Sequence, residues 1–97
     1  MPVWSACRLV LLSQDGSPVF ECDDGEVRLD GTVLLVSYFD DQGPVVLAGP
    51  EESDGHFRLV ARSRPRTATL SRAGDRLEGD WVEGDERGTW WIALRND

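Results

Sequence analysis

Leu77-Glu78-Gly79-Asp80-Trp81 is followed, after the polar turn Gly84-Asp85-Glu86-Arg87, by Gly88-Thr89-Trp90-Trp91-Ile92-Ala93-Leu94. Folded about Asp85-Glu86, this stretch sets Trp81 opposite Trp90, Gly79 opposite Ile92 and Leu77 opposite Leu94. All three pairs fall on one face, because side chains alternate along a strand and meet their partners across it. An antiparallel hairpin with an aromatic-rich inner face is the expectation, and with it a small β-protein. No reaction is implied by it.

The preceding segments extend the same row. A turn at Gly74-Asp75 pairs 66–72 with 76–83 and sets Leu70 beside Gly79 and Ala68 beside Trp81. A turn at Arg64-Pro65 sets Leu59 beside Leu70 and Ala61 beside Ala68. One face then collects Phe57, Leu59, Ala61, Ala68, Leu70, Leu77, Trp81, Trp90, Ile92 and Leu94. The other collects Arg58, Arg62, Thr67, Thr69, Glu78 and Asp80. A slip of one residue would turn the whole apolar set to solvent, so the three turns support one another. Small Ala61, Ala68 and Gly79 leave room for the two indoles.

The N-terminal half is less regular. Pairing about Asp15-Gly16 puts Cys22 opposite Leu9, with Cys7 its diagonal neighbour. Asp23-Asp24-Gly25 reads as a further turn, matching Phe20 with Val27. Val33-Leu34-Leu35-Val36-Ser37-Tyr38-Phe39 shows no clean alternation, which suits a strand covered on both faces or one carrying a bulge. Turn signals recur along the chain, with Gly49-Pro50 through Asp54-Gly55 among them. Between them fall eight or nine strands, near 3–13, 18–23, 25–30, 32–39, 44–49, 55–62, 66–72, 76–83 and 87–95. The expected fold is all-β: an antiparallel up-and-down meander forming a small barrel or a strongly curved sheet.

Size and charge bound the function. The 97 residues suit one domain, 1–97, with a modest core. No apolar run approaches the length of a membrane span. No signal peptide is recognisable, which makes a cytoplasmic location the expectation. Net charge is −8, and it is uneven: residues 1–55 hold eleven acids against Arg8 and Arg28, while 56–97 hold seven acids against eight arginines. An acidic chain is a poor partner for nucleic acid or anionic membranes. Lysine is absent, which reads as codon bias of a GC-rich, bacterial genome; selection for bidentate anion contacts is the alternative.

Chemistry-bearing residues are sparse. Cys7 and Cys22 read as buried free thiols, with a diagonal disulfide or a metal pair as alternatives. His56, the only histidine, has Ser53 and Asp54 as neighbours on a turn and no recognisable general-base partner. The acidic pairs Asp23-Asp24, Asp40-Asp41 and Glu51-Glu52 belong to turns. No metal site and no cofactor are expected. Arg58, Arg62, Arg64, Arg66, Arg72 and Arg76 cluster over two hairpins, either paired with Glu78, Asp80 and nearby acids or facing an acidic partner. Trp91 must point away from Trp90. This register sets it opposite Asp80 on the charged face, packed under the N-terminal segment against Trp4 or available to a partner.

Leu77-x-Gly79-x-Trp81 and Gly88-Thr89-Trp90, at the end of a meander of short strands, resemble the calycin group of small barrels, the avidin-like and lipocalin-like proteins. The motif covers about the last thirty residues, and the remainder is similar in architecture only. In lipocalin-like members the Gly-x-Trp signature lies near the N-terminus, whereas here it is C-terminal. The resemblance implies a closed barrel with a ligand site at its mouth, and no ligand residue of the family maps onto a numbered position here.

Two functions follow. The first is a non-enzymatic interaction module, an accessory, adaptor, inhibitor or immunity-type subunit. It binds a partner protein through its sheet surface, with Trp91, Trp4, Arg58, Arg62 and Asp80 as candidate contacts. The second is a miniature calycin-like barrel taking a small apolar ligand between Trp81, Trp90 and Tyr38. An unclosed meander would also leave two edges through which copies of the chain could pair.

Overall fold

The computed structural model describes residues 2–95. They form eight antiparallel strands: β1 (Val3–Ser13), β2 (Pro18–Asp30), β3 (Val33–Asp40), β4 (Gly43–Ser53), β5 (His56–Ala61), β6 (Arg66–Ala73), β7 (Arg76–Glu83) and β8 (Glu86–Ala93). Each strand pairs with its sequence neighbours, and β8 closes onto β1. The expected meander is therefore a closed barrel. No helix long and apolar enough to cross a membrane occurs among the described residues.

Eight strands enclose a space that side chains can just fill. Leu9, Leu11, Val27, Val36, Val45, Leu47, Leu59, Leu70, Leu77 and Ile92 pack there with Trp81 and Trp90. The inward row read from the last four segments is the row that packs inside.

Two registers within that row differ from expectation by two residues, which keeps the face and changes the partners. In β7–β8, Leu77 pairs with Ile92, Gly79 with Trp90, and Trp81 with Gly88. The turn is Gly84-Asp85, closed by Glu83 and Glu86, and Gly84 supplies the positive φ of 60° that a two-residue hairpin loop needs. Each indole thus lies across from a glycine rather than from the other indole. In β5–β6, Leu59 pairs with Ala68 and Phe57 with Leu70, because the connection spans residues 62–65. The β6–β7 pair Ala68–Trp81 is as expected.

One expected turn is absent, and another is confined to Asp54-Gly55. Asp23-Asp24-Gly25 lies inside the continuous β2, and Gly49-Pro50 inside β4. At the first, both strands are irregular: Trp4 pairs with Val27, Cys7 with Gly25 and Leu9 with Cys22, so β1 carries an extra residue before Cys7 and β2 carries one at Asp23-Asp24. Ala6 takes φ 52° at the β1 bulge. Phe20 consequently pairs with Leu11 rather than meeting Val27. At the second, a Cβ on Gly49 would lie 1.7 Å from the Arg58 carbonyl oxygen, so glycine marks a close approach of strands. In β3 the alternation is present after all, with Leu34, Val36 and Tyr38 buried and Phe39 exposed. The outward Leu35 and Phe39 had masked it.

The ring does not close evenly. The β2–β3 ladder runs only from Glu26–Ser37 to Asp30–Val33, while β3 pairs with β4 along its whole length. Residues 18–25 of β2 are therefore joined to β1 on one side and lack a ladder to β3 on the other. Closure removes the two full-length edges that an open meander would leave.

Candidate functional site

The three aromatics expected at a ligand mouth lie inside. Trp81, Trp90 and Tyr38 are each no more than 3% exposed. The Trp90 indole N–H donates to the Thr69 carbonyl at 3.1 Å, and that of Trp81 to the Leu12 carbonyl at 3.0 Å. Glycines make both bonds reachable: a Cβ on Gly79 would sit 1.8 Å from Thr69 O, and one on Gly88 1.8 Å from Leu12 O. Both indole donors are therefore satisfied inside the core, as burial requires.

A polar group caps one end of the barrel, at the turns joining β1–β2, β3–β4, β5–β6 and β7–β8. Arg66, the one charged residue classed as buried among those described, lies over the Trp81 ring at 5.7 Å. It donates to Glu83 at 2.7 Å and to the Tyr38 hydroxyl. Arg64 makes a bidentate pair with Asp40 at 2.5 and 2.8 Å. That pair holds the Asp40 carboxyl below its ordinary range, and burial pushes the Tyr38 phenol up. Each guanidinium here has its carboxylate, so the group reads as a structural plug. Beside it lies a cavity of about 160 Å³ lined by Phe20, Tyr38, Asp40, Asp41 and Arg64 among others.

The outer face of β5–β7 carries a different arrangement. Val60 pairs with Thr67, and Thr67 with Val82, so an apolar–threonine–apolar row crosses three strands. Val60 is 55% exposed and Val82 39%. In the next row Arg58 pairs with Thr69, whose hydroxyl accepts the Asp80 backbone N–H at 3.2 Å. These residues line a shallow groove of about 270 Å³. Arg58 reaches Glu52 at 3.1 Å across exposed surface. Among the described residues neither Arg62 nor Asp80 enters an ion pair.

The residues expected at the interface thus divide. Arg58 and Asp80 line the groove, and the exposed Arg62 lies just past the end of β5. Trp91 is outward and half-buried, but it pairs with Glu78 rather than Asp80, a consequence of the two-residue register change. The Arg76 guanidinium stacks 4.0 Å above its ring, and on the other side it pairs with Val10. Trp4 is buried, with Arg72 over its ring at 5.3 Å. Trp4 belongs to the core cluster, so an exposed Trp4 contact is corrected. Val60 and Val82 were not among the expected contacts, although both occupy outward positions on a face otherwise made of arginines, threonines and acids. That interruption was their signal.

Elsewhere the titratable groups are local. The His56 ring Nδ1 lies 2.6 Å from the Ser71 hydroxyl on the exposed surface. Cys7 and Cys22 form no disulfide with each other, and burial raises the Cys22 pKa. Among the described residues no group of three or more His, Cys, Asp or Glu side chains gathers as a metal site. Comparison of the chain with protein-family models, curated proteins and solved structures finds no match.

Proposed function

We propose that this chain is a non-enzymatic interaction module that binds a partner protein through the outer face of β5, β6 and β7. The observation carrying the reading is the Val60–Thr67–Val82 row. Two valines are left open to water in one line, with Arg58 and Asp80 beside them. An apolar centre with a charged rim is the composition of a protein-binding surface. The packed interior favours this reading over a small apolar ligand, since the Trp81 and Trp90 indole N–H groups bond backbone carbonyls and the Tyr38 hydroxyl bonds Arg66.

The same reading places the chain near the calycin-like barrels. Its support is the single-meander order with β8 returning to β1, and the two Gly–Trp pairs of the closing hairpin. Fold alone does not assign a partner.

Capture from the source lysate tests the interface. Wild type retains a discrete partner, and the double substitution Val60→Asp/Val82→Asp loses it while keeping the wild-type circular dichroism spectrum. Undiminished capture by the folded double variant would remove the β5–β7 face from consideration.

A further inference from the structure

The uneven closure of the barrel leaves a second feature unused by the β5–β7 face. Residues 18–25 of β2 have a strand partner on the β1 side only, because the β2–β3 ladder begins at Glu26–Ser37. A strand with one free side offers a row of backbone donors and acceptors to another chain. Apolar side chains flank this stretch. Val19 is 52% exposed and Phe39, on the facing strand, 65%. Phe39 is paired with the exposed Pro44. The seam between β2 and β3 is bridged from inside by Phe20 and Tyr38, whose ring centroids lie 5.5 Å apart. It opens at its end into the 160 Å³ cavity beside Asp40 and Asp41.

Charge decides what fits there. Glu21, Asp23 and Asp24 line the free stretch, and Asp41 stands at the cavity. The nearby cations are already engaged: Arg8 with Asp23 at 2.9 Å and Glu21 at 3.4 Å, Arg64 with Asp40, Arg66 with Glu83. Asp24 and Asp41 enter no ion pair among the described residues. A second copy of the same edge would bring acids against acids, which opposes pairing. A cationic extended segment meets complementary charge at the unpaired carboxylates of Asp24 and Asp41.

We propose that the free side of β2, residues 18–25, accepts an extended arginine- or lysine-bearing segment of a partner protein as an added strand, with one cationic side chain entering the cavity at Asp41. Main-chain bonds would hold such a segment and the alternating side chains would select it. This inference rests on the reading of the chain as a partner-binding module and assigns a surface distinct from β5–β7.

A short labelled peptide of alternating arginine and valine is the probe, read by fluorescence anisotropy and by amide hydrogen exchange. Two controls accompany it: the same peptide N-methylated at alternate amides, and one with glutamate replacing arginine. The parent peptide binds and slows exchange within residues 18–25, and both controls fail to bind. Asp24→Lys/Asp41→Lys weakens the parent peptide by roughly tenfold or more. Equal binding of the N-methylated peptide, protection elsewhere, or no binding would overturn the assignment. So would a concentration-dependent dimer protecting the same amides without peptide. The Val60→Asp/Val82→Asp variant keeps the peptide and loses the captured partner, so failure at one surface is read separately from failure at the other.

Discussion

At the scale of single residues, the barrel depends on places where no side chain fits. Gly79 and Gly88 sit across from Trp90 and Trp81 and let a neighbouring carbonyl come within 1.8 Å of where a Cβ would stand. Each of those carbonyls accepts an indole N–H. A methyl group would have to push backbone, since no flexible side-chain end can yield instead. We expect Gly79→Ala and Gly88→Ala each to lower unfolding free energy by about 3 kcal/mol, the upper range for forcing extra volume into a packed core. Urea denaturation measures it, and a loss under about 0.5 kcal/mol, the level of an ordinary surface change, would refute the close approach. The sequence offered both Gly–Trp motifs. It left undetermined which glycine meets which tryptophan, because a shift of two residues preserves the inward face and costs the alternation nothing.

At the scale of elements, β1 and β2 are where local reading and structure part most. Asp23-Asp24-Gly25 has the composition of a turn, and within the continuous β2 it forms a bulge instead. A second bulge lies in β1, where Ala6 adopts φ 52° and the pairing skips between Trp4 and Cys7. Nothing in Ser5-Ala6-Cys7 announces a left-handed residue. Ala6 is exposed, so its methyl gives up little contact if removed. Left-handed backbone costs alanine about 1 kcal/mol more than glycine. Ala6→Gly is therefore expected to raise the unfolding free energy by up to about 1 kcal/mol, less the added chain entropy of glycine, and with it the urea midpoint. A lowered midpoint would mean that the bulge is relaxed with alanine in place.

At the scale of the whole molecule, charge couples the barrel to pH. Asp15 accepts bonds from the Ser13 hydroxyl and the Ser17 backbone N–H, which lower its pKa to about 2. Asp40 is lowered by Arg64. A carboxyl depressed in the folded state binds fewer protons there than when unfolded. Its contribution is present above the unfolded value near 3.9 and is lost as pH falls through the folded one. We expect the urea midpoint to fall between about pH 4 and pH 2, and Asp15→Asn, which keeps an acceptor in the turn, to flatten that fall. Superimposable profiles for wild type and Asp15→Asn would exclude the turn carboxylate as a contributor.

How much was legible follows the physics of each signal. Alternation is local, so the sequence by itself determined the β class, the inward row of the last four strands and the outward placing of Arg58, Asp80 and Trp91. Residue size on facing strands was legible too, because alanine and glycine beside tryptophan state a packing rule. Closure of β8 onto β1, the register to within two residues, the burial of Trp4, Tyr38 and Arg66, and the free side of β2 were decided only in three dimensions. These depend on strand coiling and on contacts between segments far apart in the chain, where many pairings satisfy the same alternating pattern and only simultaneous packing of all eight strands selects one.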